Sequence, residues 1–296
     1  LPAKEYLADC KKFIDESVSR YLPEKTAYPG SIHESMHYSL FAGGKRLRPS
    51  LLIAAAEAVG GSRYDVLPFA VATEFLHTYT LIHDDLPALD NDSLRRGKPT
   101  NHKVFGEAIA ILAGDALLTQ AFVLMTDSLR MENIPQKNLL RASHDMAKAL
   151  SSTGVIGGQV VDLESEGKPI DAGTLEYIHI YKTGFFFKSC VRCGAILSQA
   201  TSSQIKALSS FGAHIGLAFQ IIDDILDITG DREKLGKDIG SDIQNKKATY
   251  PALFGLEKSK AKAETLVDQA IVCLENFDER ANPLREIARF FIQRTF

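Results

Sequence analysis

The sequence has no tryptophan, only 4 cysteines and 4 methionines, and almost no net charge: 34 Lys+Arg oppose 37 Asp+Glu, a formal −3 over 296 residues. Without a global basic field, non-specific nucleic-acid binding is excluded, and there is no acidic excess to replace it. Four cysteines in so long a chain do not form the disulfide framework of a small secreted domain, so reduced thiols and a cytoplasmic location are expected. Cys190-x-x-Cys193 has no second pair at finger spacing and no preceding strand, which favours buried structural thiols over zinc or redox chemistry. No uninterrupted apolar run reaches the roughly 18–20 residues that span a bilayer, so no membrane span is expected. The start LPAKEYLADCKKF also lacks a signal-peptide pattern.

What is present is the composition of an ordered globular protein, 45% hydrophobic and 24% charged. Length alone favours about two domains. Apolar residues, however, recur at helical spacing almost throughout, with few period-2 runs, which predicts an all-α fold: one large helical domain over residues 1–296. Ser31-x-x-Glu34 and Thr201-x-x-Gln204 have the form of capping boxes. Gly43-Gly44, Gly60-Gly61 and Gly157-Gly158 are candidate punctuation, and segments 162–173 and 229–247 read as connections. Stretches 105–126 and 203–227 are apolar over more than one face, as expected of helices surrounded by other helices.

Three charged clusters stand out. The first, LIHDDLPALDNDSLRRGKPTNHK, places Asp84, Asp85, Asp90 and Asp92 before Arg95, Arg96, Lys98 and Lys103. The second, FQIIDDILDITG, puts Asp223 and Asp227 on one helical face with Asp224 beside them. Carboxylates this close repel one another, and desolvation in an apolar helix penalises their charge further. A divalent metal is favoured over a solvated acidic face, and magnesium suits an all-oxygen donor set. An EF-hand starting at Asp90 fails, because Leu94 and Arg95 fall where an oxygen ligand and a glycine are needed. Pro87 allows the chain to leave the helix near Leu86 and bring Asp90 back toward Asp84. The third cluster, FAGGKRLRPS, has no Walker pattern, leaving anion capture by Lys45 and Arg48, with an exposed basic turn as the alternative.

In order, GGKRLRP, LIHDDLPALDNDSLRRGKPTNHKVFGEAIAILAGDAL, GGQVVD, YKTG, FQIIDDILD, LGKDIGSD and KKATYPAL resemble the trans-isoprenyl diphosphate synthases, most closely the farnesyl and geranylgeranyl diphosphate synthases of bacterial and plastid type. The resemblance runs from about residue 30 to the C-terminus. It implies a helical bundle around a central cavity, acting as a homodimer, in which three magnesium ions bridge two aspartate motifs to an allylic diphosphate. By motif position, Asp84, Asp85 and Asp90 form one site and Asp223, Asp224 and Asp227 the other. Arg95, Lys182, Lys237 and Lys247 would hold the allylic diphosphate; Lys45, Arg48, His77 and Arg96 would hold isopentenyl diphosphate; Thr183 and Gln220 would face the reacting carbon. His83 and His102 read as supporting or structural.

The implied reaction breaks an allylic carbon–oxygen bond, so metals and basic groups stabilise the leaving diphosphate and no protein triad is needed. Tyr79 and Thr80, just before the first motif, resemble the floor that limits chain growth, with ordinary core packing of Tyr79 as the alternative. Together with the two extra residues in DDLPALD relative to DDxxD, they favour a farnesyl product over a geranylgeranyl one. A terpene cyclase would leave GGKRLRP and the second aspartate motif without a purpose, and a non-catalytic synthase subunit should have lost metal-binding aspartates.

Overall fold

The structure is a computed structural model that describes residues 2–229 and 249–293. It is helical nearly throughout, as the periodicity predicts. In chain order, the longer helices are α1 (Ala3–Val18), α2 (Gly30–Leu40), α3 (Leu47–Ala58) and α4 (Arg63–Asp84). After a two-stranded hairpin, β1 (Leu94–Arg95) and β2 (Lys98–Pro99), come α5 (Asn101–Phe105), α6 (Glu107–Met125), α7 (Gln136–Leu150), α8 (Val155–Ser165) and α9 (Ala172–Ile178). A π-helical turn, His179–Gly184, leads directly into α10 (Phe185–Leu197) and then α11 (Ser202–Thr229). The last described helices are α12 (Tyr250–Phe254), α13 (Leu256–Val272) and α14 (Asn282–Gln293).

Local chemistry explains several boundaries. Thr201 caps α11 with a true box: Gln204 N–H donates to Thr201 Oγ1 at 3.3 Å, and Thr201 N–H donates to Gln204 Oε1 at 2.9 Å. Ser62 caps α4 by accepting from Tyr64 N–H. The Ser31 box does not form, because α2 already starts at Gly30 and places Ser31 inside its first turn. Gly157-Gly158 is not punctuation either; it lies within α8. Helix α8 also claims the first residues of the expected 162–173 connection. The expected connection 229–247 lies, apart from Thr229, outside the described residues.

Packing is organised around α10 and α11. Helix α10 lies against α3, α7 and α11, and α11 continues onto α13 and the π-turn, while α4 pairs with α6. One contiguous apolar core results, with Phe69, Phe75, Phe186, Phe187, Phe211 and Phe291 fully buried. Cys10, Cys190 and Cys193 are buried thiols, and burial pushes the Cys193 thiol up to about 12, as suits structural cysteines.

Stretch 203–227 behaves as expected, with buried residues along the whole of α11. Helix α6 departs from expectation: Ala110, Ala113, Gly114 and Leu117 pack inward, but Ile111, Leu112 and Val123 are exposed, so neighbouring helices cover only one of its faces. By length and composition alone, α6 and α11 would suffice to cross a membrane, a property that counting uninterrupted runs missed because Asp115, Asp223, Asp224 and Asp227 interrupt them.

Candidate active site

The first aspartate motif forms where α4 ends. Asp84 is the last residue of the helix and Asp85 its cap. The chain then turns over Pro87, so that Asp90 N–H donates to Asp84 O at 2.9 Å and Asn91 N–H to Leu86 O at 3.1 Å. The break at Pro87 thus returns Asp90 to Asp84. Burial, with Asp90 and Asp85 adding to it against the opposing Lys182 and Arg95, pushes the Asp84 carboxyl up to about 6.

The two adjacent aspartates of this motif differ. Asp84 and Asp90 are half-buried, whereas Asp85 is 3% exposed and accepts from the Arg95 guanidinium, which also pairs with Asp92 at 3.0 Å. Arg95, expected on the allylic diphosphate, is therefore engaged by two carboxylates here. The second motif repeats the division. Asp223 and Asp227 are half-buried, while Asp224 is 3% exposed. Asp224 accepts from Tyr250 N–H at 2.9 Å and Gln220 Nε2 at 3.2 Å, with His179 Nε2 at 3.3 Å. Sequence spacing assigned all six carboxylates alike; tertiary contacts separate two of them as anchors of the fold.

The π-turn joins the two motifs. Lys182 donates to Asp162 at 2.6 Å and lies near enough to Asp84 to favour its ionised form. Thr183 Oγ1 donates to Gln220 Oε1 at 2.9 Å, and the His179 ring stacks on Tyr250. Burial lowers the His179 pKa to about 4, so its imidazole is neutral at pH 7. Asp162, His179 and Tyr250 escaped assignment from the sequence. Asp162 stands in the recognised GGQVVD motif, but nothing local reveals that Lys182, twenty residues later, is its partner.

This turn has room only because Gly158 faces it. A Cβ at residue 158 would lie 2.2 Å from Lys182 N and 2.7 Å from Lys182 Cα, and backbone cannot step aside cheaply. Gly158→Ala is accordingly expected to destabilise the protein by about 1–3 kcal/mol and to impair catalysis through displacement of Lys182. Thermal denaturation and steady-state kinetics test this; wild-type values for both would refute it.

The basic cluster points two ways. Arg46, with φ 50°, turns inward, its guanidinium donating to Asp15, Glu74 and Leu40 O at 2.6–2.7 Å. Arg48 instead sits over the Phe186 and Phe187 rings, its Nη1 3.2 Å from His77 Nε2. Burial, then Arg48, hold His77 well below its ordinary pKa; the neutral ring accepts from Arg48. Among the described residues, buried Arg48 Nε and His77 Nδ1 have no hydrogen-bond partner. Arg96 bonds Gly43 O, and Gly44 at φ 128° leaves space for that guanidinium, which a Cβ would meet at 2.6 Å. Lys45 is exposed, and Asp223 is close enough to Arg48 to influence its charge, so α3, α4 and α11 converge here.

Tyr79 is buried edge-on against His83, one turn before Asp84, and Thr80 bonds back to His77 O. His83 Nε2 meets Ile111 O at 3.0 Å, and His102 is buried beside Thr100, both structural placements. Lys237 and Lys247 lie outside the described residues.

Whether this site suits magnesium can be judged from its donors. The available ligands are carboxylate oxygens, Asp227 Oδ2 is buried without a hydrogen-bond partner among the described residues, and burial raises the Asp84 carboxyl against its charged form, all of which a cation would relieve. Among the described residues no three such groups form a ready-made cage. Magnesium does not require one, since it typically takes one or two carboxylates and completes its shell with water and phosphate oxygens.

Comparison with known proteins agrees with this arrangement. The Polyprenyl synthetase family profile matches residues 29–284. A farnesyl diphosphate synthase of Geobacillus stearothermophilus is 49% identical over 278 residues, covering 94% of this chain and 93% of that one. A geranylgeranyl diphosphate synthase of Cyanophora paradoxa is 45% identical over 290 residues, covering 98% and 95%. Among solved structures, a geranylgeranyl pyrophosphate synthetase of Pyrococcus horikoshii superposes with a TM-score of 0.88 at 32% identity, over 98% of this chain and 99% of that one. An FPP/GFPP synthase from Zymomonas mobilis superposes at 0.86 and 36%, over 98% of each chain. With a family profile that matches most of its length and relatives 45–49% identical over more than nine-tenths of it, this chain belongs to the polyprenyl synthetase family.

Proposed function

We propose that the protein is a trans-prenyltransferase that joins isopentenyl diphosphate to an allylic diphosphate, dimethylallyl or geranyl, and makes farnesyl diphosphate. The observation that carries this reading is the convergence of two carboxylate sets, Asp84/Asp90 and Asp223/Asp227, with the Arg48–His77 anion site on one region of the bundle. Asp84, Asp90, Asp223 and Asp227 would hold magnesium, three ions by family resemblance. When bound, magnesium supplies positive charge to the leaving diphosphate.

The chain's own groups do the rest. Lys182 and Arg95 present cationic charge beside Asp84 and Asp85 and would orient the allylic diphosphate, a role that family resemblance extends to Lys237 and Lys247. Arg48, with neutral His77, Arg96 and Lys45, receives the second diphosphate, and the unpartnered Arg48 Nε supplies a donor for it. The Thr183–Gln220 pair presents oxygen dipoles to developing positive carbon, held in place by Asp224. No protein base is required, because the released diphosphate accepts the proton.

The exposed apolar face of α6 supports a homodimer, with a second copy covering Ile111, Leu112 and Val123. Exposed Asp115 on the same face suits an interface between proteins better than lipid. Free thiols at Cys10, Cys190, Cys193 and Cys273 support a cytoplasmic location.

Product analysis after incubation with isopentenyl diphosphate, magnesium and each allylic starter tests the assignment. A fifteen-carbon diphosphate is expected; turnover of geranyl diphosphate alone would make the protein a cyclase instead. Tyr79, buried beneath the first motif, is assigned as the floor, with Thr80 beside it. Tyr79→Ala should shift the main product to twenty carbons or more, and an unchanged chromatographic profile would sink that assignment.

A further inference from the structure

Far from the aspartate motifs, α7, α10 and α11 line an open basic pocket of about 380 Å³. Four cationic side chains line it: Arg141 from α7, Lys188 and Arg192 from α10, and Lys206 from α11. Only Arg192 has an acidic partner, Asp145, and it also donates to Ser209 Oγ at 3.3 Å. Among the described residues no carboxylate pairs with Arg141, Lys188 or Lys206, although Lys188 lies over the Phe185 ring. The four cations and Asp145 therefore leave a local charge of +3 in a chain whose total is −3.

Such a concentration of one sign in a concavity focuses a positive potential into it. Hydroxyls from Ser202, Ser209 and Ser210 add hydrogen-bonding capacity. Of the residues that line it, only Ile205, itself 4% exposed, and Ala213 are apolar; the remaining apolar surface comes from the stems of the polar side chains. At about 1.5 Å per residue along α11, Ser209 lies roughly 20 Å from Asp223, so the cavity is separate from the active site.

We infer that this cavity is a binding site for inorganic diphosphate, held by Arg141, Lys188, Arg192 and Lys206 without metal. Its size exceeds a single phosphate, its cations match a compact polyanion, and a lining with only two apolar residues offers no row of side chains to a prenyl tail. The assignment stands independently of the condensation proposed above.

The test is amine footprinting of the full chain in EDTA, with mass spectrometry reading the labelling of Lys188 and Lys206 as diphosphate is added. Protection of both is expected, at lower concentrations for inorganic diphosphate than for inorganic phosphate or geranyl diphosphate. Arg48→Gln should leave this protection unchanged, because that substitution touches only the active site. Lys188→Gln/Lys206→Gln should weaken metal-free diphosphate binding at least tenfold in equilibrium dialysis on the Arg48→Gln background. The same double substitution on the wild-type background should leave the melting temperature and condensation rate unchanged. Unprotected lysines, binding unaffected by the double substitution, or loss of protection in Arg48→Gln would each overturn the site. Earlier protection by geranyl diphosphate would overturn the choice of inorganic diphosphate.

Discussion

Asp223→Asn is expected to lower the condensation rate by roughly 10²–10³-fold while leaving the melting temperature near wild type. Asp223 is half-buried on the face of α11 that approaches Arg48, so removing its charge should weaken the magnesium site proposed above while the isosteric amide keeps the packing of α11. Its neighbour should behave differently. Asp224 is 3% exposed and accepts from Tyr250 N–H and Gln220 Nε2. Asp224→Asn replaces an acceptor oxygen by a donor among donors, costing about 1–3 kcal/mol of stability. Radiolabelled isopentenyl diphosphate incorporation and thermal denaturation, run side by side on both variants, separate the two roles. A condensation rate near wild type for Asp223→Asn would sink the assignment, and equal thermal loss in both variants would remove the distinction between them.

Arg46→Ala is the substitution expected to cost most stability. The Arg46 side chain is 2% exposed and bridges Asp15 of α1, Glu74 of α4 and Leu40 O at the end of α2. Removing it leaves Glu74, whose side chain is 1% exposed, as an uncompensated buried charge. Breaking a buried pair in this way costs about 3–5 kcal/mol, which lowers the melting temperature on the order of 10 °C. Arg46→Ala/Glu74→Leu should recover part of the loss, because the orphaned charge is gone. A melting temperature within a degree or two of wild type for Arg46→Ala would show that the three helices hold together without this bridge.

Arg46 also illustrates what a sequence conceals. In KRLR all three basic residues read alike, and the placement of Lys45 and Arg48 as ligands left Arg46 with no role. Its left-handed backbone at φ 50° turns it away from its neighbours and into the core. The aspartate motifs follow the same pattern: spacing identifies the six carboxylates, but the burial of Asp85 and Asp224 against protein donors depends on Arg95 and Tyr250, one ten and the other twenty-six residues away.

The sequence by itself determined the all-helical class, the break at Pro87 that returns Asp90 to Asp84, the capping of α11 and the family. These depend on contacts within a few residues or on motifs in order, and both are written locally. Only the tertiary structure decided that Asp85 and Asp224 are anchors, that Gly158 makes room for Lys182 instead of ending a helix, and that one face of α6 lacks cover. It also revealed the unpaired cations between α7, α10 and α11, which lie on three separate helices with no common motif. Each of these outcomes rests on packing between distant segments, where burial and partner choice set the energy, and neither periodicity nor spacing encodes which segments meet.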